Sequence, residues 1–200
     1  MRVALTIDTE HPDRPCSGRA LDGTLAALAG VSATFFIEGR WARANPEEAM
    51  KVAAAGHVLG NHSQHHAPFD FLTDSGIAKD LAEAEETIQA VMGRSPRPWF
   101  RCPFGAGMDD ARVLAAISAE GYTHVGWDVD PRDWHEDNDA VAVEQAVLAG
   151  VGEREDSIVL LHSWPDATAA ALPRILDALA AAGAELVDVG ALTDASASRP

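Results

Sequence analysis

The sequence predicts an α/β fold built around a mainly parallel β-sheet. Seven short β-like runs alternate along the chain with alanine-rich helical stretches, and such alternation is typical of parallel strands joined by helices. The strand-like runs are short and apolar, whereas the helical stretches repeat apolar residues every three or four positions. From these patterns alone, a doubly wound open sheet and a (β/α) barrel that lacks one unit both fit the chain.

Each predicted strand is a short, mostly apolar run bounded by turn or helix signals. The runs are residues 2–7, 32–37, 57–60, 98–101, 123–128, 157–161 and 184–189. The first of them, RVALTI, and the second, SATFFI, carry the β-branched and aromatic residues that strands favour.

The helices are predicted from apolar spacing and from capping residues. The helix over residues 45–56 has Asn45 as its N-cap, Pro46 at its first position and Gly56 at its end. A second helix, residues 74–93, places its apolar residues on one face and ends at Gly93. The stretches 109–121, 139–150 and 166–183 follow the same pattern. Pro173, inside the last of these, is expected to bend that helix or to begin a new one.

Length and charge limit the classes of partner. The chain has 200 residues and is predicted to form a single domain over residues 1–200. Its net charge of −16 repels phosphate backbones and anionic lipids, so we expect neither nucleic acid nor membrane partners. We find no apolar segment of the roughly 18 residues that a span needs. Two cysteines without paired spacing and the expected absence of a signal peptide favour a cytoplasmic location.

Polar residues of unusual kinds follow the predicted strands. In parallel α/β folds the carboxyl ends of the strands meet on one face, where ligands bind. Residues far apart in sequence are therefore expected to converge on one pocket. These residues are Asp8, Glu10, His62, His66, Arg101, Asp128, Asp130, Asp133 and His162.

The stretch HSQHH suggests a metal site. His62 and His66, four positions apart, are able to aim two imidazoles at one ion, and Glu10 would complete a set of two histidines and one carboxylate. Such a set leaves coordination positions open for water and substrate. The alternative is a solvated polar loop, and His65 is expected to point elsewhere.

The remaining charged residues fit the hydrolysis of an amide. Asp8 is a candidate base, and Arg101 is the cation that would keep it ionised. His162 would protonate the leaving nitrogen, and Asp133 would orient it and stabilise its cationic form. The alternative roles are structural: a turn residue for Asp8, a surface cation for Arg101 and a helix cap for Asp133.

The ordered set TIDTE, HSQHH, RCPFG, DPRDW and LLH resembles the polysaccharide deacetylases of the NodB-homology superfamily, carbohydrate esterase family 4. The resemblance runs from residue 2 to about residue 163. It implies a distorted (β/α) barrel with about seven parallel strands. It also implies removal of acetyl groups from N-acetylated sugars with a divalent metal ion held by one acidic residue and two histidines.

By position, the resemblance assigns a role to each motif residue. Asp8 is the catalytic base, Arg101 its partner, His162 the general acid, and Asp133 the acid that orients this histidine. Phe104 would help to hold the oxyanion through its backbone N–H. Trp134 and Leu160 would form apolar walls around the acyl methyl group, and His62 and His66 would bind the metal.

The first motif departs from the commonest family pattern, in which two adjacent aspartates precede Gly-Pro. This chain has DTEH, with Thr9 at the position of the usual acidic ligand. We therefore assign the third metal ligand to Glu10. Without that ligand the site is expected to be poor in metal, as in hydrolases of cyclic amides in this superfamily.

We thus expect a metal-dependent amidohydrolase that removes an N-acyl group, N-acetyl in our prediction, from an amino sugar or similar small amide by attack of a metal-bound water. The expected metal is zinc, and the partner is a small-molecule substrate. The first alternative is a hydrolase of cyclic amides or ureides that needs no metal. The second is a non-catalytic carbohydrate-binding domain. The sequence predicts no oligomeric state.

Overall fold

The structure is a computed structural model that describes residues 1–9 and 18–197, with side chains up to residue 193. Its strands are β1 (Arg2–Asp8), β2 (Thr34–Ile37), β3 (Val58–Asn61), β4 (Trp99–Phe100), β5 (Thr123–His124), β6 (Asp156–His162) and β7 (Glu185–Val187). Its helices are α1 (Gly18–Ala27), α2 (Gly39–Ala44), α3 (Pro46–Ala54), α4 (Asp74–Met92), α5 (Ala111–Ala119), α6 (Ala140–Gly152), α7 (Asp166–Ala181) and α8 (Val189–Ala197). Every predicted strand is present, and strands and helices alternate as the α/β class requires.

The chain divides into two compact units. The described part of the first, here called the terminal unit, comprises residues 1–8, 18–34 and 127–197. That of the second, the central unit, comprises residue 9 and residues 35–126. The prediction of a single domain stays a prediction.

In the terminal unit, β1 pairs in parallel with β6 along its whole length and with β7 over its first three residues. Val3, Ala4, Leu5 and Ile7 are fully buried, so both faces of β1 are covered. This explains why the sequence of β1 is a nearly continuous apolar run rather than an alternation of apolar and polar residues. The helix α7 packs against both α1 and α6 in this unit.

In the central unit, β2, β3, β4 and β5 are neighbours in that order, and β3–β4 and β4–β5 pair in parallel. The helix α4 packs against α2, α3 and α5. Its predicted end is confirmed, because Gly93 adopts the left-handed conformation with φ 68°, which glycine adopts without steric cost. A buried cluster fills one part of this unit: Phe69, Ile77, Leu81, Phe100, Cys102, Val113, Ile117 and Tyr122.

Three helices were not predicted: α1, α2 and α8. The helix α2 is hard to foresee because its N-cap is Glu38, a residue type that rarely caps a helix through its side chain. Pro173 does not begin a new helix, because α7 runs as one helix from Asp166 to Ala181 around it. Buried residues before and after Pro173, including Leu172 and Ile175, hold both halves against the unit. Among the described residues, no helix is long and apolar enough to cross a membrane.

Candidate active site

In the terminal unit, the register of two strands brings Asp8 and His162 side by side. β1 and β6 pair from Arg2 with Asp156 to Asp8 with His162. Because paired residues on adjacent strands point to the same face of a sheet, the carboxylate and the imidazole are neighbours at the carboxyl ends of the strands. The backbone N–H of Ser163 donates to the Asp8 carbonyl oxygen at 3.1 Å, which extends this pairing beyond the last strand residue.

A second carboxylate, that of Asp133, binds His162 directly. Asp133 Oδ1 lies 2.7 Å from His162 Nδ1, and Asp133 Oδ2 accepts the backbone N–H of His162 at 2.7 Å. The Thr168 hydroxyl also donates to Oδ2, at 2.6 Å. Because a carboxylate accepts but does not donate when it is ionised, Nδ1 carries the hydrogen. The other ring nitrogen, Nε2, is then the atom that the predicted general-acid role of His162 would use.

The acidic surroundings raise the pKa of His162 above its ordinary value. Burial by itself lowers this pKa, but the charge and hydrogen bond of Asp133, with the charges of Asp8 and Asp130, outweigh it. His162 is therefore held in the protonated form over a wider pH range than a free histidine. That is the state that a general acid needs before it acts.

The turn before Asp133 is built by its own polar side chains. Asp130 Oδ1 accepts the Arg132 N–H at 2.8 Å, and Asn138 Nδ2 donates to the Arg132 carbonyl at 2.8 Å. Arg132 has φ 52°, a left-handed conformation that a residue with a Cβ adopts at some cost. These bonds hold the strained turn that precedes the carboxylate of Asp133.

The two residues expected to contact an acyl methyl group also lie in the terminal unit. Leu160 is on β6, two residues before His162, and is 5% exposed. Trp134 follows Asp133 and is 40% exposed. Their assignment as walls of an acyl pocket stays a prediction.

In the central unit, His62 and His66 lie ring to ring. Their ring centroids are 4.9 Å apart at an angle of 71°. His62 Nδ1 lies 3.0 Å from the carbonyl oxygen of Arg101. Because a carbonyl only accepts, Nδ1 carries the hydrogen, and in a neutral ring the lone pair is then on Nε2. This is the outer hydrogen bond that typically orients a metal-binding histidine.

Three polar side chains hold the backbone of the HSQHH loop. Asn61 Oδ1 accepts the Ser63 N–H at 2.8 Å, Asp80 Oδ1 accepts the Gln64 N–H at 2.8 Å, and Ser63 Oγ accepts the His66 N–H at 2.7 Å. Ser63 and His66 have φ 71° and 51°, so the loop contains two strained residues that are not glycine. Backbone strain of this kind clusters at functional sites, and the assignment of this loop as a metal site stays a prediction.

Arg101 is fully buried in the central unit. Its Nε and Nη2 donate to the carbonyls of Val125 and Gly126 at 3.2 and 3.0 Å, and its guanidinium lies 4.2 Å from the ring centre of Phe36. These contacts rule out the alternative of a surface cation. The predicted pairing with Asp8, a residue of the terminal unit, stays a prediction.

Phe104 follows Arg101 in a turn of 3-10 helix and is 70% exposed. Its φ is 58°, and its ring centroid lies 4.5 Å from that of His66. The aromatic ring therefore covers one of the two candidate metal ligands. The predicted role of its backbone N–H at an oxyanion stays a prediction.

The third candidate ligand, Glu10, lies outside the described residues. Within residues 1–9 and 18–197, no group of three or more His, Cys, Asp or Glu side chains is placed to hold a metal ion. His62 and His66 nevertheless fit such an ion, since they offer two nitrogen donors and the His62 tautomer is fixed. Thr9, at the position of the usual acidic ligand, uses its hydroxyl oxygen to accept the Glu38 N–H at 2.9 Å.

His65 was expected to point away from the candidate site. Its side chain is 52% exposed, and Nε2 lies 3.6 Å from a carboxylate oxygen of Glu83. It thus differs from His62, which is 2% exposed.

Sequence reasoning missed the residues that support both histidine sites. Thr168 and Asp80 lie on helices, and nothing in their local sequence marks them. Glu38 was also missed: it is fully buried, and burial raises its pKa to about 8. A buried carboxyl group directly after an apolar strand was the signal available for Glu38.

These features can be compared with known proteins. A family model described as polysaccharide deacetylase matches residues 1–125. A chitooligosaccharide deacetylase from Sinorhizobium fredii is 33% identical over 190 residues, which cover 88% of this chain and 85% of the relative. The protein YlxY of Bacillus subtilis is 34% identical over 82% of this chain, and the chain spans 49% of its length.

Solved structures of similar proteins have the same fold. A family 4 carbohydrate esterase from Streptomyces lividans, solved with acetate, has a TM-score of 0.77 and 29% identity over 92% of this chain and 91% of its own. A CE4-family pseudoenzyme from Bacillus anthracis has a TM-score of 0.84 and 27% identity over 96% of this chain and 64% of its own. The predicted fold class, an α/β fold of the distorted (β/α)-barrel type, is confirmed.

The relatives also confirm the predicted enzyme class, a hydrolase that acts on carbon–nitrogen bonds other than peptide bonds. The family match covers more than half of the chain, and it includes three of the motifs singled out above, TIDTE, HSQHH and RCPFG. This chain belongs to the polysaccharide deacetylase family.

Proposed function

We propose that this protein removes the N-acetyl group from a small N-acetylated amino sugar. The observation that carries the proposal is the pairing of Asp8 with His162 in register, with the buried carboxylate of Asp133 on His162 Nδ1. A base and a protonated acid side by side are what the hydrolysis of an unactivated amide requires. The alternative structural roles for Asp8 and Asp133 explain neither this pairing nor the raised pKa of His162.

The names of the relatives support the substrate class. They include chitooligosaccharide deacetylases and a peptidoglycan-N-acetylglucosamine deacetylase from Bacillus cereus, which is 28% identical over 98% of this chain. Both names describe N-acetylated sugars. We propose a short, soluble substrate rather than a polymer.

Three residues would hold a divalent metal ion, zinc in our proposal: Glu10, His62 and His66. Such an ion, when bound, supplies Lewis acidity that lowers the pKa of water and polarises a carbonyl oxygen. What supports this assignment is the His62 tautomer and the proximity of the two rings.

Each step of the proposed reaction is assigned to a residue of this chain. Asp8 takes the proton of the water that attacks the acetyl carbon, and Arg101 keeps Asp8 ionised at neutral pH. The Phe104 N–H stabilises the oxyanion that develops on the former carbonyl oxygen. His162 donates the proton on Nε2 to the sugar nitrogen as the carbon–nitrogen bond breaks, which yields acetate and a free amine. Trp134 and Leu160 contact the acetyl methyl group.

Two alternatives remain open to test. A hydrolase of cyclic amides or ureides would use the same carboxylate and imidazole and would release no acetate. A non-catalytic carbohydrate-binding domain is the second, and the likeness to a CE4-family pseudoenzyme gives it weight.

The decisive experiment measures metal content and acetate release together. The purified chain is analysed for bound metal, supplied with Zn²⁺, and assayed for acetate release on short chitooligosaccharides and N-acetylglucosamine, and for ring opening on cyclic ureides. We expect stoichiometric zinc and acetate release. His62→Ala should lose both, whereas His65→Ala, an exposed neighbour in the same loop, should keep both.

Each other outcome contradicts part of the proposal. Retention of stoichiometric zinc by His62→Ala would reject the assignment of His62 as a metal ligand. Ring opening without acetate release would favour the first alternative. Binding of the sugars without any turnover, in the presence of zinc, would favour the second.

A further inference from the structure

The Thr168 hydroxyl donates a hydrogen bond to Asp133 Oδ2 at 2.6 Å. Thr168 lies in the first turn of α7 and is fully buried. It belongs to none of the sequence motifs, and it reaches Asp133 across 35 positions of the chain. A buried hydroxyl that donates to a buried carboxylate forms a charge-assisted hydrogen bond, which is about twice as strong as a neutral one.

The two carboxylate oxygens of Asp133 make different hydrogen bonds. Oδ1 faces His162 Nδ1, and Oδ2 accepts both the His162 N–H and the Thr168 hydroxyl. The Asp133 side chain has no solvent exposure, so bulk water cannot replace a missing donor. Two donors on Oδ2 restrain rotation of the carboxylate, and that restraint determines where Oδ1 points.

We propose that Thr168 is a positioning residue that fixes the carboxylate of Asp133 so that Oδ1 stays aligned with His162 Nδ1. The inference rests on the proposed function in one respect, the role of His162 as proton donor. Thr168 touches neither His162 Nε2 nor the reacting atoms, and it acts through Asp133.

The charges that face His162 explain why alignment matters. They are the carboxylates of Asp133, Asp8 and Asp130, and burial acts against them. Asp133 makes the largest electrostatic contribution that raises the pKa of His162. Because the strength of a hydrogen bond falls steeply with poor geometry, a carboxylate that is free to rotate would hold the imidazolium less well. The pKa of His162 would then fall.

The test compares three substitutions in the full-length protein. Thr168→Val keeps the shape of the side chain and removes the donor. Thr168→Ser restores the donor. Thr24→Val is the matched control, because Thr24 is also fully buried in the terminal unit but its hydroxyl has no hydrogen-bond partner among residues 1–9 and 18–197. The readouts are the pKa of His162 from ¹⁵N-edited NMR titration of the ring, and the dependence of kcat on pH.

We expect Thr168→Val to lower the pKa of His162 by about one unit and to lower kcat about tenfold, a part of what a positioned general acid contributes. Thr168→Ser and Thr24→Val should both titrate like the unmodified protein. If Thr168→Val does not accumulate as folded protein, Thr168→Ala removes the same donor and is expected to give the same pKa change.

An unchanged pKa of His162 in folded Thr168→Val or Thr168→Ala would overturn the proposal, and so would an equal change in Thr24→Val. A lowered pKa that Thr168→Ser restores supports it. If the unmodified protein releases no acetate but the pKa still responds in this way, the positioning role stands and the proposed function fails.

Discussion

Asp8 and His162 are partners in register at the carboxyl ends of two adjacent parallel strands. The charge of Asp8 helps to raise the pKa of His162, so the candidate base and the candidate acid influence each other. Asp8→Asn removes one negative charge with little change in shape. We expect the pKa of His162 to fall and kcat to fall by about 10²–10⁴-fold, because the base is lost.

Metal analysis of the same variant separates the base from the metal site. Asp8→Asn should keep its zinc, since Asp8 is not an assigned ligand. Asp22→Asn, an exposed residue on α1 in the same unit, removes the same charge and should change neither kcat nor the pKa of His162. Near-normal turnover by Asp8→Asn would reject the assignment of the base.

The buried carboxyl group of Glu38 makes stability depend on pH. Burial raises its pKa from 4.5 to about 8, against the opposing hydrogen bond from the Trp41 N–H and the charge of Arg40. Between these two values the folded state binds more protons than the unfolded state. The free energy of unfolding therefore falls as pH rises from about 4.5 to about 8.

Glu38→Gln tests this because the amide oxygen can still accept the Trp41 N–H. Between pH 5 and pH 8, the free energy of unfolding of the variant should fall much less than that of the unmodified protein, as measured by urea denaturation. At pH 8 it should be more stable than the unmodified protein. An unaltered pH profile would show that Glu38 is ionised in the folded protein.

Asp80 supports the HSQHH loop from helix α4. Its carboxylate accepts the Gln64 N–H at 2.8 Å, and Asp80 is 6% exposed. Asp80→Ala would leave a buried N–H without an acceptor, which costs about 1–3 kcal/mol. We expect a loss of that size in denaturation experiments, together with a weaker affinity for zinc, because the two histidines are held less well.

Glu86→Ala serves as the control for Asp80→Ala. Glu86 lies on the same helix and is exposed, so its removal should change neither stability nor zinc affinity appreciably. A drop in stability with unchanged zinc affinity in Asp80→Ala would show that Asp80 supports the fold but not the histidine pair.

Gly39 leaves room for the side chain of Gln64. A Cβ built at Gly39 would lie 1.9 Å from Gln64 Oε1, and Gln64 is fully buried, so its amide has little space to move. We expect Gly39→Ala to lower the free energy of unfolding by about 1–3 kcal/mol.

Adding Gln64→Ala to Gly39→Ala should recover part of this loss, because the clash is then gone. Gly152→Ala should not destabilise the protein, because outside its own helix backbone and chain neighbours no atom of the described residues lies within 4 Å of a Cβ built there. Equal effects of the two glycine substitutions would contradict the clash.

Local sequence was sufficient for the strands and for the residues that follow them. A buried parallel strand requires an apolar run, and the polar residue at its end must face the sheet edge where such ends meet. For that reason the sequence alone identifies Asp8, His62 and His162 as candidates at this edge. The spacing of the histidine motif likewise predicted that His62 and His66 lie close together.

Tertiary structure alone decided how these residues are supported. The Arg101 carbonyl fixes the ring of His62, Asp80 holds the loop between the histidines, and Thr168 holds the carboxylate of Asp133. Each of these contacts joins residues at least 16 positions apart, and each uses a side chain or backbone atom of a common type. A hydrogen bond of this kind is determined by which atoms packing brings within 3 Å, and no local pattern in the sequence encodes that distance.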